Sequence, residues 1–300
     1  MTEAEKEGLA QLEMMANSFL YVSKQPLVKK PSDYGMEYED LNFKTEDGVN
    51  IAAWLIKGTK NKTIILSHPA VFTKYGYSLE NEGPAKSGYA KDVEFLPAVK
   101  HLVNAGYSVL MYDQRNHGES GLDPNNGIHD AYKASLDNVA AVEFASNHTD
   151  LKGNDIGLYS ICQSGLVSTI GMSRYPEIYK NANVKAMVAP QMMSFDIFYK
   201  KFGVPEEGIK ALKNIYIEKG VDLDNQNPMR FVKDITVPTL FMQNLNDPWT
   251  EIEHTKDIYN AIPTEKDAIW YEGEAHRFDA YNWFNDNPEK LIAFFDKYLS

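Results

Sequence analysis

The hydrophobic positions of this chain fall into short apolar runs that alternate with longer amphipathic stretches. Short apolar runs between turn residues predict buried strands, and apolar residues at three-to-four spacing predict helices. Strands are predicted at about 36–44, 49–57, 63–67, 108–112, 156–160, 184–188, 239–243 and 268–271. Helices are predicted at about 3–23, 95–105, 131–146, 251–261 and 288–299, and a further helix near Gly165. Such alternation implies a mostly parallel sheet with helices on both faces.

The alternation breaks in two places. The run Thr45-Glu-Asp-Gly between the first two strands is a hairpin signal. Residues 191–236 contain aromatic-rich helical stretches without a convincing strand, and an insertion there lies over the carboxyl ends of the strands, where open α/β sheets bind ligands. We interpret it as a helical cap, and an ordinary pair of packing helices is the alternative. With neither repeats nor a linker, we predict one domain over 1–300 with an N-terminal helix in 1–24.

The only cysteine of the chain stands at a predicted strand-to-helix turn. A nucleophile elbow needs small residues two positions before and two after the nucleophile, because strand and helix backbones pack closely there. Ser160 and Ser164 meet that requirement around Cys162, and Gly165 follows. Centring the motif on either serine would put a leucine at a flanking position. We therefore predict that Cys162 is a nucleophile, although a lone cysteine is more often a small buried hydrophobe.

An acid and a histidine follow Cys162 in the chain order that this catalytic arrangement requires. Asp247 lies in the polar turn after strand 239–243, and His276 lies on the loop after the last predicted strand. We predict that Asp247 orients His276, which then acts as the base. An acid from the cap, such as Asp196, is the alternative. Taken singly, an aspartate before proline is typical of a turn and a lone histidine of the surface.

Two backbone N–H groups are needed to hold the oxyanion, one after the nucleophile and one on the loop after the third strand. Gln163 supplies the first of them. On the loop that begins at His68, Pro69 has no N–H, so Ala70 or Val71 must supply the second. We interpret His68 as a residue that orients this loop.

Aromatic residues are concentrated in the cap and beside the catalytic loops, which predicts an apolar substrate pocket. Arg277 stands beside His276 and offers a different anchor, a carboxylate on the substrate. The predicted substrate-binding residues are Phe72, Phe195, Phe198, Tyr199, Phe202, Trp249, Arg277 and Phe278.

The run DQRNHGES at 113–120 resembles the strand-to-loop signature of α/β-hydrolases. With the elbow and the acid and histidine at strand ends, the resemblance covers nearly all of 36–299. The elbow cysteine is similar to that of dienelactone hydrolase-like members and of cysteine-bearing relatives of the acyl-peptidase hydrolases, although Ser160, Ser164 and Ala70 stand where glycine is usual. The resemblance implies an α/β-hydrolase fold, with a mostly parallel sheet of the eight-stranded type, helices on both faces and a helical cap insertion.

The composition of the chain limits the classes of molecule that it is expected to bind. A net charge of −12 disfavours nucleic acid and anionic membranes as main partners, and one cysteine excludes an internal disulfide. No apolar stretch approaches the ~18 residues of a membrane span. The acidic start lacks the features of a signal peptide, so we expect a cytoplasmic protein. Without a glycine-rich nucleotide loop or histidines at metal-ligand spacing, we expect no cofactor and no metal. The expected partner is a small-molecule acyl substrate, and a homodimer is left open.

These features predict a hydrolase that acts on a carboxylic ester, lactone or thioester through Cys162, Asp247 and His276 and a covalent acyl-enzyme. Two alternatives stay open: an acyltransferase that uses the same residues, and a catalytically silent binding protein on a hydrolase fold. A cysteine engineered in place of serine would give the same sequence.

Overall fold

The computed structural model describes residues 3–22, 24–82, 91–125 and 127–300. Its centre is an eight-stranded sheet. The strands are β1 (Glu39–Lys44), β2 (Asn50–Ile56), β3 (Lys62–Ser67), β6 (Ser108–Tyr112), β7 (Asp155–Ser160), β8 (Val184–Pro190), β9 (Thr239–Asn244) and β10 (Lys266–Tyr271), and a separate small ribbon pairs β4 (Gly76–Tyr77) with β5 (Val93–Glu94). The order in the sheet is β1-β2-β6-β3-β7-β8-β9-β10. Strand β2 is antiparallel to β1 and to β6, and all the other neighbouring pairs of the large sheet are parallel. The predicted fold class is confirmed.

Helices cover both faces of the sheet. They are α1 (Glu3–Leu20), α2 (Leu96–Asn104), α3 (Ala131–Asn147), α4 (Gln163–Arg174), α5 (Pro176–Asn181), α6 (Phe195–Lys201), α7 (Glu206–Glu218), α8 (Ile252–Ala261), α9 (Asp279–Asp286) and α10 (Pro288–Tyr298). One large hydrophobic core includes residues of α2, α9 and α10, and another includes residues of α3, α5 and α8. None of the helices in the described ranges is long and apolar enough to cross a membrane.

Local sequence explains most element boundaries. The hairpin between β1 and β2 closes through a Thr45 N–H bond to the Val49 carbonyl, and Gly48 has a φ of 84°. Helix α3 begins after Asp130, whose carboxylate accepts from the Tyr132 N–H. Strand β1 begins at Glu39 rather than at residue 36, because its pairing with β2 begins at Glu39, opposite Leu55. Helices α5 and α9 were not predicted, because they are too short for a clear 3.6-residue period.

Helices α6 and α7 and three 3-10 turns lie between β8 and β9, in the segment interpreted as a cap. Helix α1 packs against this segment rather than against the sheet alone. The Phe19 ring lies 5.1 Å from Phe195, 5.0 Å from Phe198 and 6.3 Å from Tyr199, centroid to centroid, in edge-to-face geometry. The N-terminal helix therefore belongs to the cover above the carboxyl ends of the strands.

Candidate active site

The turn after β7 has the geometry of a nucleophile elbow. Cys162 precedes α4 with φ 60° and ψ −118°, a conformation that costs an L-residue about 1–3 kcal/mol. The small side chains around it are part of the packing. The Ser160 hydroxyl bonds to Ser168 at 2.8 Å, and the Ser164 hydroxyl donates to the His68 carbonyl at 2.5 Å. Serine in place of glycine therefore ties the elbow to the neighbouring loop.

The order of the strands brings several loops to this elbow. Parallel strands end at one edge of the sheet, so the loops after β3, β7, β8, β9 and β10 meet there. These loops carry His68, Cys162, Gln191, Asp247 and Arg277 respectively, and all five residues are buried. Sequence-distant groups thus form one site.

The two candidates for the second oxyanion donor, Ala70 and Val71, have different surroundings. The Val71 N–H donates to Nε2 of His117 at 3.1 Å, so Val71 is already engaged. Ala70, Val71 and Gln163 all line the cavity at Cys162. As the first residue of α4, Gln163 has an N–H without a partner inside its helix. Val71 thus braces the loop through His117, and the oxyanion roles of Gln163, Ala70 and Val71 stay predictions.

Three buried histidines form a row beneath these donors: His68, His117 and His129. Neighbouring rings lie 5.0 and 5.1 Å apart. His68 accepts from the Gln114 N–H at 3.0 Å through Nε2 and contacts the Pro69 carbonyl at 2.7 Å through Nδ1, in agreement with its predicted role in orienting the loop. We refer to His68, His117 and His129 as the histidine row.

Burial keeps the histidine row neutral. It lowers the pKa of His68 to about 4, against a partial upward effect of Asp113. Burial, followed by the neighbouring histidines, lowers the pKa of His117 well below its ordinary value, and burial also lowers that of His129. A neutral His117 ring can accept from Val71 through Nε2 while Nδ1 donates to the Arg115 carbonyl at 2.8 Å. The other end of the row reaches the elbow, since His129 bonds to the Gln163 side chain at 2.7 Å.

Arg277 joins the predicted acid to the predicted nucleophile. Its Nη1 donates to the Asp247 carboxylate at 2.5 Å, and its Nη2 donates to Sγ of Cys162 at 3.2 Å. Nη2 also donates to the Gln191 carbonyl at 2.5 Å, and Nε donates to the Tyr281 hydroxyl at 2.8 Å. The side chains of Arg277 and Asp247 have no solvent exposure. The guanidinium is therefore held on all three of its nitrogens.

The charges around Arg277 fix its ionisation. Burial disfavours the charged form, but Cys162, Tyr281 and Asp247 outweigh it and raise the pKa of Arg277 well above its ordinary value. Burial raises the pKa of Tyr281 well above its ordinary value, against an opposing effect of Arg277 and with a reinforcing interaction with Cys162. The cysteine sulfur therefore faces a permanent cation and a neutral phenol.

The predicted triad has Asp247 orienting His276, and the surroundings of both residues bear on that prediction. The hydrogen bonds of Asp247 among the described residues come from Arg277, the Trp249 N–H, Gln243 and Thr250, and His276 is not among these partners. Adjacent side chains on the loop after β10 point to different sides. Nδ1 of the half-buried His276 accepts from the Phe278 N–H at 3.1 Å, while Arg277 turns inward. Asp247 therefore has a different cationic partner, and a catalytic role for His276 stays a prediction.

A small apolar cavity lies directly above Cys162. It measures about 30 Å³, which is room for about one water molecule. Four predicted substrate residues line it: Phe72, Phe195, Trp249 and Phe278. The other four are placed differently: Phe198 packs within the aromatic cluster of α1 and α6, Tyr199 bonds to Tyr216, Phe202 is 41% exposed, and Arg277 contacts the cysteine.

Several site residues were not predicted from the sequence. Phe19 and Tyr281 line the cavity, Gln191 anchors Arg277, and His117 and His129 support the oxyanion loop and elbow. A signal existed for His117, which belongs to the 113–120 run. Phe19 and His129 stand in ordinary helical and loop sequence, where nothing local indicates a role.

Comparisons with known proteins place this fold. No family model and no curated protein matches the sequence. Among solved structures, the esterase Pf2001 of Pyrococcus furiosus is 18% identical with a TM-score of 0.70, over 94% of this chain and 99% of that one. The α/β hydrolase GrgF of Penicillium sp. is 17% identical with a TM-score of 0.60, over 87% and 97%. Dienelactone hydrolase of Anabaena variabilis is 13% identical with a TM-score of 0.57, over 88% and 99%. This protein has the α/β-hydrolase fold.

Proposed function

We propose that this protein is an acyl-cleaving enzyme that attacks a carboxylic ester, lactone or thioester with Cys162 and forms a covalent acyl-enzyme. One observation carries the proposal: the single cysteine occupies the strained elbow, with its sulfur at an apolar cavity and within 3.2 Å of a buried guanidinium. The similarity in fold to an esterase and a dienelactone hydrolase supports the same reaction class.

The surroundings of Cys162 suit nucleophilic attack. The thiolate is the reactive form of cysteine, and a cation and a helix N-terminus both favour it. Arg277 supplies the cation, and α4 begins immediately after the cysteine. When the sulfur adds to a carbonyl carbon, the negative oxygen would be held by the N–H groups of Gln163 and Ala70. Collapse of this intermediate expels the leaving group and leaves the acyl group on sulfur.

The cavity sets the acyl group that fits. Its apolar walls disfavour a charged acyl chain, and its volume of about 30 Å³ favours a short one. The prediction that Arg277 binds a substrate carboxylate is less favoured, because Asp247 already neutralises its charge.

The test is covalent capture followed by intact-protein mass spectrometry. An acetyl thioester and p-nitrophenyl acetate are offered to the wild type, and we expect one acetyl adduct that peptide mapping places on Cys162. Cys162→Ala should give no adduct, and iodoacetamide pretreatment should prevent it in the wild type. If neither donor acylates Cys162, the acyl-enzyme proposal fails and the silent binding protein is favoured instead.

A further inference from the structure

Two polar side chains of the described residues, Arg277 and Tyr281, interact with the Cys162 sulfur. Arg277 donates to it directly, and the neutral Tyr281 phenol interacts with it while accepting from Arg277. Arginine has no acceptor atom and keeps its proton at all accessible pH values. Between Asp247 and Cys162, where an α/β-hydrolase of this chain order needs a base, the structure has a permanent cation.

From this arrangement we infer that the Cys162 acyl-enzyme transfers its acyl group to a thiol rather than to water, so that the reaction is exchange between thioesters. The inference rests on the proposed function, since it requires acylation of Cys162. It depends on which groups beside Cys162 can accept or donate a proton, and not on the fold.

The acylation step needs no proton when the donor is a thioester. The Cys162 thiolate adds to the carbonyl carbon of R–CO–SR′, and the carbon–sulfur bond to SR′ breaks with the electron pair leaving as R′S⁻. The products are R–CO–S–Cys162 and a free thiolate, so bonds and charge balance. An alkyl ester would instead expel a far more basic alkoxide, and that step needs an acid that Arg277 cannot provide.

The second step is the same reaction in reverse with a different thiolate. R″S⁻ adds to the acyl carbon, and Cys162 leaves as a thiolate that Arg277 again stabilises. Attack by water is different, because water must lose a proton as it adds and a base typically contributes about 10²–10⁴-fold to that step. Arg277 thus favours the leaving thiolate in both directions and gives no assistance to hydrolysis.

Arg277 is held in its position beside Cys162, so it stays there during the reaction. Its partners are Asp247, Gln191, Tyr281 and the cysteine, and moving it away would leave a buried carboxylate unpaired. Gln191 reinforces the position with a left-handed backbone, φ 57°, which aims its carbonyl at Nη2.

The experiment measures the fate of a preformed adduct. The wild type is acetylated with S-acetyl-N-acetylcysteamine, freed of donor, and followed by intact mass in buffer and in 2-mercaptoethanesulfonate. We expect the adduct to disappear at least about tenfold faster with millimolar thiol than without it, and the buffer rate to rise in proportion to hydroxide, without a plateau above pH 7. An adduct that hydrolyses as fast as thiol removes it, or with a plateau typical of a titrating base, would overturn the inference.

Two substitutions locate the cause. Arg277→His places a base between Asp247 and Cys162, and we expect it to raise the rate at which the adduct hydrolyses at least about tenfold. Arg174→His, on the remote end of α4, is the matched control and should leave the hydrolysis rate within twofold. A longer adduct lifetime in His276→Ala would overturn the inference, because it would identify His276 as the base. If Arg277→His does not fold, the wild-type rates and His276→Ala still decide. Absence of any adduct would refute the proposed function instead.

Discussion

The stability of the site depends on charge balance around one fully buried cation. Arg277 has two anionic neighbours, the Asp247 carboxylate and the Cys162 sulfur when it is a thiolate. Either anion can neutralise the charge of the guanidinium, so the loss of stability on removing one of them is reduced while the other remains. We therefore consider Asp247→Asn in a Cys162→Ala background, where the aspartate is the last anion in contact with Arg277.

The magnitude follows from burial. Both side chains of the pair have no exposure, so the cation left by Asp247→Asn cannot be hydrated. Breaking a buried pair by removing one partner typically costs about 3–5 kcal/mol. In the wild-type background the Cys162 sulfur still accepts from Nη2 of Arg277 at 3.2 Å, and we expect a smaller loss. The difference between the two backgrounds measures the coupling between Cys162 and Asp247.

The assay is urea unfolding of the four proteins of this cycle at pH 7.5, with the slope compared before free energies are subtracted. Arg277→Met in the Cys162→Ala, Asp247→Asn background is the control, because it removes the stranded cation and should restore part of the lost stability. A loss below about 1 kcal/mol for Asp247→Asn in the Cys162→Ala background would refute the reasoning, since it would mean that the guanidinium is solvated or displaced.

Three further predictions follow from other parts of the structure. The pKa values of the histidine row are lower in the folded protein than in the unfolded chain, so the unfolded chain binds more protons and the free energy of unfolding should fall from about pH 6.5 toward pH 5. His117→Asn should reduce the proton uptake on unfolding by about one. A thermal midpoint that does not change over this pH range would contradict the assignment. Phe19→Ala should enlarge the cavity and raise kcat/KM about tenfold for an acyl chain two methylenes longer. Met14→Ala, on an exposed face of α1, is the control and should leave the dependence of kcat/KM on acyl-chain length unchanged. The same dependence in Phe19→Ala as in the wild type would exclude Phe19 from the pocket. Lys74→Met should destabilise the protein by about 3–5 kcal/mol in urea unfolding, because Asp113 is buried and paired with Lys74; a loss as small as that of an exposed pair, under about 1 kcal/mol, would count against a buried charge pair.

Much of the fold could be predicted from the sequence, since strand and helix periods are local signals. Every strand of the large sheet was predicted, because most are short apolar runs bounded by turn residues and β1 precedes a hairpin signal. The elbow at Cys162 was also predictable, since its requirement for small flanking residues spans only five positions. The resemblance of residues 113–120 to a known signature pointed to the fold, because the side chains of Asp113, Arg115 and Ser120 bond to other elements of the protein.

Tertiary structure alone decided which residue lies between Cys162 and Asp247. His276 and Arg277 are neighbours in sequence, and chain order is equally compatible with either residue facing the elbow. The choice depends on which side chain of the loop faces inward. The Asp247 carboxylate, the Gln191 carbonyl and the Cys162 sulfur meet there from three different strand ends. Three such acceptors favour a guanidinium over an imidazole, because a guanidinium has more donors. The same applies to Val71 and Ala70, because only the position of His117 decides which N–H is occupied. The sequence determined which residues reach this edge of the sheet, and packing of distant loops decided which of them touch, since hydrogen bonds depend on distances and directions that no local pattern contains.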